Sequence, residues 1–565
     1  MSFLFYNFSF GFPFFRFRKC LFLPIIPLFY LFACQETDIP HKTQHTQHHQ
    51  TDTSKTTSLP ASTQEMVNEL RHIALNPNNK DMWYLNEQKA KKYEAMLPQL
   101  TNTPNQWINT AYQAATQWLN AGNYNHAIEL LDQTFAFIKT QNVQLQQNEI
   151  NTLLEVKAIS FMRKGEIENC LHNHNEYSCL LPIEGPGQHL NKTGSQSALH
   201  IYEQLLQYDP DNPQNKWLYN IAHMTLSSYP HDVDKKHLIP PGVFHSEANF
   251  PRFTDIAMPL GIAVNDISGS VILDDFNNDH YLDIIASSYG LQDQLRYFQN
   301  DGHGGFTDKT QEAGLMGLWS GLNLKQADYN NDGWMDILVL RGAWMGAQGK
   351  HPNSLLLNQG NGTFRDVTKE AGLYSLFPTQ TAAWGDFDND GWLDLFIANE
   401  SSRFISAPCL LFHNNGDGTF SEIAASMGLN KTGFFKGCAW GDINNDGWLD
   451  LYLSNLTGKN LLFLNNGKGT AFQDISLSAG ISEPNFSFPC WFFDYNQDGW
   501  EDIFVSGFDI RQFETAAGEV AKDYLGLPTT AEKPRLYRNN RNNTFTDVSK
   551  ELHLDKVLYT MGCNY

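Results

Sequence analysis

The chain has 565 residues, 41% of them hydrophobic and 13% aromatic, and carries a net charge of −22. That length suits about three to four average domains with sizeable cores. The acidic balance excludes ordinary nucleic-acid binding, which selects basic surfaces.

Residues 1–34 read as an export signal. Arg16, Arg18 and Lys19 precede an apolar run from Cys20 to Ala33, a charged region followed by a stretch too short to span a membrane as a helix. Leu31-Phe32-Ala33-Cys34 resembles the bacterial lipobox, which implies cleavage before Cys34 and lipidation of its thiol; an ordinary signal peptide is the other reading. Gln35 after that Cys resembles lipoproteins sorted to the outer membrane, facing the periplasm or the cell surface. Residues 35–65 are Thr, His, Gln and Ser with almost no apolar residue, a composition that cannot bury a core and predicts a flexible tether. His41, His45, His48 and His49 within it read as a polar spacer before a weak transition-metal site.

Over 66–240 the apolar period becomes 3.6, so this segment is predicted helical. Trp118, Gly122, Tyr124, Ala127 and Leu131 fit a helix–turn–helix with Gly at the turn. Ala198, Tyr202, Leu205 and Pro210 have the spacing of a tetratricopeptide second helix, and Leu154, Ala158, Phe161 and Gly165 that of its first. Glu166 to Ser195 then reads as an insertion between them, and Trp217, Ile221 and Met224 start a third partial copy. Stacked pairs of this kind form a concave peptide-binding surface; a plain helical spacer is the alternative. The insertion holds Cys170 and Cys179 with His172, His174 and His189. A local Cys170–Cys179 disulfide suits an exported protein better than a metal site, and without C-x-x-C-H no covalent haem is expected.

From 250 to 565 one pattern recurs. Asp386, Asp388 and Asp390 alternate, Gly391 follows, and Asp394 closes a nine-residue loop that runs into a β-rich segment. Alternate acids supply oxygens to a hard cation, Gly permits the sharp turn, and the carbonyl of Trp392 is a further donor. The other copies are Asp275, Asn277, Asp279, Tyr281, Asp283; Asp328, Asn330, Asp332, Trp334, Asp336; Asp442, Asn444, Asp446, Trp448, Asp450; and Asp494, Asn496, Asp498, Trp500, Asp502. Their starts are 53, 58, 56 and 52 residues apart. That period, with four short β segments in each, describes the blades of a propeller. The acids and amides select Ca²⁺ over softer metals, and the third loop, with four carboxylates against three elsewhere, is expected to bind tightest. The sixteen ligand aspartates explain much of the negative charge, since five Ca²⁺ would cancel about ten units of it. His280 replaces the glycine in the first copy and weakens that expectation. Cys438 and Cys490 each lie four residues before a loop Asp, in register, as buried residues of equivalent inner strands.

Phe253-Thr254-Asp255-Ile256-Ala257 reads as the fourth segment of a blade whose other three come from the far end. Met561-Gly562-Cys563-Asn564-Tyr565 aligns with Lys436-Gly437-Cys438-Ala439-Trp440, after which another loop is expected, so the sequence reads as a fragment of a six- or seven-bladed ring.

These copies resemble the FG-GAP or VCBS repeats of integrin α-subunit propellers. The layout is similar to bacterial and animal proteins related to cartilage acidic protein, which commonly carry an ASPIC/UnbV segment. The resemblance implies an α + β multidomain chain, tetratricopeptide-like helices followed by an all-β propeller, with Ca²⁺ at the loop positions named. The expected function is a calcium-binding, envelope-anchored scaffold for a protein or glycan ligand. The alternative is a glycan-binding module or carbohydrate-active enzyme, since fold alone does not decide activity. No nucleophile elbow, H-E-x-x-H or phosphate loop is present, so no catalytic residue is assigned. The aromatics Tyr281, Trp334, Trp392, Trp448 and Trp500 are read first as packing on a neighbouring blade, then as a sugar-stacking ring.

Overall fold

The computed structural model describes residues 59–76, 79, 82–178, 180–246 and 251–561. Cys34, the tether up to residue 58, Cys179 and residues 562–565 lie outside the described residues, and with them the lipidation and disulfide expectations. The chain forms two compact units.

The first unit holds the described residues of 80–255 together with 511–530. Six of its helices are α2 (Asn86–Met96), α3 (Pro104–Asn120), α4 (Tyr124–Thr140), α5 (Gln147–Asn173), α6 (Thr193–Tyr208) and α7 (Pro213–Thr225), each packed on the next in chain order. Gly122 sits between α3 and α4 with φ +80°, as its place in the helix–turn–helix requires. Ala111, Ala114, Ala115, Leu130, Leu131, Leu153 and Val156 form one core; Ala158, Met162, Tyr202, Leu205, Trp217 and Ile221 belong to the next. Helix α5 runs to Asn173, so the supposed insertion is helical over its first residues. Gly165 lies inside that helix because it meets Gly194 of α6: a Cβ on Gly194 would stand 2.5 Å from the Gly165 nitrogen. A short helix, Ala516–Tyr524, packs its Ala517 and Ala521 into the second core, on α7.

The second unit holds the described residues of 45–79, 256–510 and 531–565. Its first element, α1 (Ala61–Ala74), begins within the stretch read as a tether. Pro60 opens it, and Thr63, Met66, Leu70 and Ala74 form one buried stripe. Met66 and Leu70 enter an apolar cluster of the first two sheets, and Thr63 Oγ1 accepts the Asp366 amide at 3.0 Å. That stripe is why the helix belongs here and not with the helices that follow it.

Among the described residues, five four-stranded antiparallel sheets follow, each with its strands in chain order. The first strands are Ser268–Asp274, Asn323–Ala327, Thr379–Gly385, Phe435–Gly441 and Ser487–Phe493. Each second strand starts on a closing aspartate: Asp283–Ser288, Asp336–Leu340, Asp394–Asn399, Asp450–Asn455 and Asp502–Gly507. Each third strand ends on an asparagine: Arg296–Asn300, Ser354–Asn358, Leu410–Asn414, Leu461–Asn465 and Arg535–Asn539. The fourth are three-residue strands beginning at Phe306, Phe364, Phe420, Phe472 and Phe545. First strands of consecutive sheets are neighbours. An apolar cluster fills each of the four junctions, as where Leu338, Leu340 and Leu355 of the second sheet meet Leu395, Ile397 and Phe412 of the third. The second strands of those two sheets are buried along their whole length, because both faces are covered. Burial of a large apolar side chain contributes about 1.5–3 kcal/mol, so the junctions carry much of the unit's stability.

Phe253-Thr254-Asp255 departs from expectation: it is in no strand, and Phe253 is 77% exposed. The three strands it would complete are absent from the described residues. Cys438 and Cys490 occupy equivalent places on first strands, Cys438 buried and Cys490 half-buried.

Candidate metal centres

Each acidic loop is a short turn between first and second strands, tied by its own aspartates. In the second copy the Asp332 amide donates to Asp328 Oδ1 at 3.0 Å, the Gly333 amide to Asp328 Oδ2 at 2.8 Å, and the Trp334 amide to Asp332 Oδ1 at 2.9 Å. The same bonds recur in the third, fourth and fifth copies. Gly333, Gly391, Gly447 and Gly499 take φ between +82° and +91°. His280 takes φ +72° and still donates its amide to Asp275 at 2.7 Å, so the departure leaves the turn intact at the cost of left-handed strain on a non-glycine residue.

The closing aspartates are buried: Asp283, Asp336, Asp394, Asp450 and Asp502 are each at most 1% exposed. Each accepts the amide of the asparagine ending the third strand, as from Asn358 to Asp336 Oδ1 at 2.7 Å and from Asn465 to Asp450 Oδ1 at 2.7 Å. Burial pushes these carboxyls up first, and nearby loop aspartates push the same way: Asp336 to about 8, Asp450 and Asp394 to about 7, Asp283 and Asp502 in the same direction. A desolvated carboxylate beside further acids is short of positive charge, which a bound cation supplies.

The third loop converges most. Asp386, Asp388 and Asp390 bring one oxygen each within 4.8 Å of one another, and Asp388, Asp394 and His413 do the same with one ligand atom each. Asp388 Oδ1 is buried with no hydrogen-bond partner. The donor set therefore fits a cation: hard oxygens, one of them stranded. Residues Asp386, Asp388, Asp390 and Asp394 would hold it, and the equivalent Asp and Asn side chains would do so in the other loops. Among the described residues, His172, His174, His189 and Cys170 form no such group. His189 instead pairs Nδ1 with Ser195 Oγ at 2.8 Å, and burial pushes its imidazole down to about 4.

Two asparagine ladders escaped the sequence reading. The residue between the third and fifth loop positions has φ near +56°, and its amide reaches the loop glycine carbonyl of the next sheet: Asn278 to Gly333 at 3.0 Å, Asn331 to Gly391 at 3.0 Å, Asn389 to Gly447 at 2.8 Å, Asn445 to Gly499 at 2.8 Å. The third-strand asparagines reach back to the preceding sheet: Asn358 to the Phe276 carbonyl at 2.8 Å, Asn414 to Tyr329 at 2.8 Å, Asn465 to Phe387 at 2.9 Å, Asn539 to Ile443 at 2.7 Å. The loops are thus wired to one another, and the recurrence of Asn at both positions was the available signal.

The loop aromatics pack on their own sheet. A Cβ on Gly302, Gly360 or Gly416, in the hairpin before the fourth strand, would fall 2.7–3.0 Å from the ring of Tyr281, Trp334 or Trp392. Arg541 of the fifth sheet's hairpin lies 5.9 Å from the Trp500 ring centre. The contact shown for these rings is thus with the hairpin of their own sheet.

A family model described as FG-GAP-like repeat matches residues 275–339, 343–397, 386–453 and 442–505. Cartilage acidic protein 1 of Homo sapiens is 31% identical over 188 residues, covering 31% of this chain and 26% of the human protein. The Mus musculus protein of the same name is 30% identical over 188 residues, 31% of this chain and 27% of its own length. That of Xenopus tropicalis is 26% identical over 285 residues, 46% of this chain and 44% of its own length. The matched regions therefore span from about a quarter to under half of these relatives. The chain carries FG-GAP-like repeats and is distantly homologous to cartilage acidic protein 1.

Proposed function

We propose that the repeat unit is a calcium-stabilised interaction scaffold whose five sheets are blades of a propeller, held at the cell envelope by a lipid on Cys34. The observation that carries the calcium reading is the recurrence, five times, of an oxygen-lined turn closed by a buried aspartate. Extracellular modules of this ligand type bind Ca²⁺ at about 10⁻⁴–10⁻³ M, so such sites fill outside the cytoplasm. The ion neutralises the clustered acids and pins each turn; the loops then present a rigid rim to a protein or glycan ligand. The helical unit, read as tetratricopeptide-like, supplies a second surface for a peptide. Equilibrium dialysis with radioactive Ca²⁺ should count up to five ions per chain, and counting none rejects the reading. Retention of an envelope ligand on the immobilised chain should be lost in EDTA; turnover of a polysaccharide would replace the scaffold with an enzyme.

A further inference from the structure

We propose that the third loop, unlike the other four, takes a transition-metal dication such as Zn²⁺ or Mn²⁺, with the His413 imidazole as a ligand beside Asp388 and Asp394. The inference rests on the reading of the loops as cation sites and names the ion of one of them. Three departures coincide around this loop alone. The third loop position is Asp388 where the others have Asn277, Asn330, Asn444 and Asn496. The residue before the third-strand asparagine is His413 where the others have Gln299, Leu357, Leu464 and Arg538. The hairpin of the fourth sheet, between Asn465 and Phe472, is one residue longer than its equivalents, and its Gly469 closes on Asp388 so tightly that a Cβ there would stand 2.4 Å from the Asp388 Cβ.

The geometry suits a metal. His413 Nδ1 lies 3.3 Å from Asp388 Oδ2 and 3.2 Å from Asp394 Oδ1. Metal–ligand bonds of about 2.0–2.2 Å set adjacent donor atoms about 3.0–3.5 Å apart. A simple imidazolium bridge would satisfy those two oxygens and still leave Asp388 Oδ1 buried without a partner. A dication accepts donors from both carboxylates, and an imidazole nitrogen favours a transition metal over Ca²⁺, whose ligands are oxygens. Asp394 is fully buried and His413 about 29% exposed, so the site is enclosed on one side and reachable on the other.

Pulsed electron paramagnetic resonance of Mn²⁺ bound to the full chain tests this. With less than one Mn²⁺ per chain, the echo should carry the ¹⁴N modulation of one imidazole. His413→Gln, the residue of the first copy and so compatible with the fold, should abolish that modulation while Mn²⁺ still binds at oxygen-only loops. Asp388→Asn, the residue of the other four copies, should abolish it too. Absence of ¹⁴N modulation in the wild-type chain, or its persistence in both variants, overturns the proposal. Ca²⁺ dialysis separates the two ideas: Ca²⁺ bound without ¹⁴N modulation sinks only the His413 assignment, whereas a chain that binds neither ion sinks the cation loops as well.

Discussion

At the scale of single residues, the inter-sheet wiring rests on side chains doing two jobs. Asn389 holds φ +56° and donates to the Gly447 carbonyl of the next sheet. Asn389→Gly should keep the turn and lose the bond, costing about 0.5–1.5 kcal/mol. Asn389→Ala should cost about 1–2 kcal/mol more, because alanine resists the left-handed region. Denaturant unfolding of both variants in Ca²⁺ separates the terms. A second device is the buried pair Lys436–Glu400, both at most 2% exposed. The ammonium also contacts Gln380 Oε1 at 3.2 Å and faces the rings of Trp344 and Phe434, while Glu400 Oε2 accepts the Trp344 amide at 2.6 Å. Burial lowers the Lys436 pKa and raises that of Glu400. Glu400→Ala should destabilise by about 3–5 kcal/mol, since it strands a desolvated cation, whereas Glu400→Leu with Lys436→Met should recover most of that loss. If the double variant melts no higher than the single, the stranded charge is not the cause.

At the scale of elements, the loops were readable because metal ligation demands oxygens at fixed spacing along one contiguous stretch. The asparagine ladders were marked only by the recurrence of Asn at two positions; their partners are backbone carbonyls of another sheet, which leave no residue signature, so the recurrence did not say what the side chains reach. Helix α1 was legible only in part: Met66, Leu70 and Ala74 fall in the segment expected to be helical, but its start, with Thr63, lies in a stretch whose composition matched a tether, and its packing on the sheets left no mark in the sequence. The helix Ala516–Tyr524 was missed because it interrupts the last sheet, between Gly507 and Arg535, beyond the final loop that marked the period. Helices α3 and α4, by contrast, follow from the 3.6-residue spacing and from Gly122. The crossing of α5 and α6 depends on Gly165 against Gly194. Gly194→Ala should therefore force the helices apart and lower stability by about 1–3 kcal/mol, visible as an earlier unfolding transition by circular dichroism. An unchanged transition would show that α6 can shift freely.

At the scale of the whole molecule, the repeat unit is a series of sheets, each packed on the next in chain order, with a highly acidic turn in every sheet. Apolar junctions favour the array, and clustered aspartates oppose it unless a cation is present. The balance sets the central claim. At 1 mM Ca²⁺ and a Kd of about 10⁻⁴ M, each occupied site contributes about 1.4 kcal/mol. The four oxygen-only loops together would then raise the melting temperature of the repeat unit by about 10 °C. The direct measurement is the melting temperature of the full chain in 1 mM Ca²⁺ and in EDTA at equal ionic strength. A rise of that size in Ca²⁺ is predicted, and equal melting temperatures in the two buffers would contradict the account.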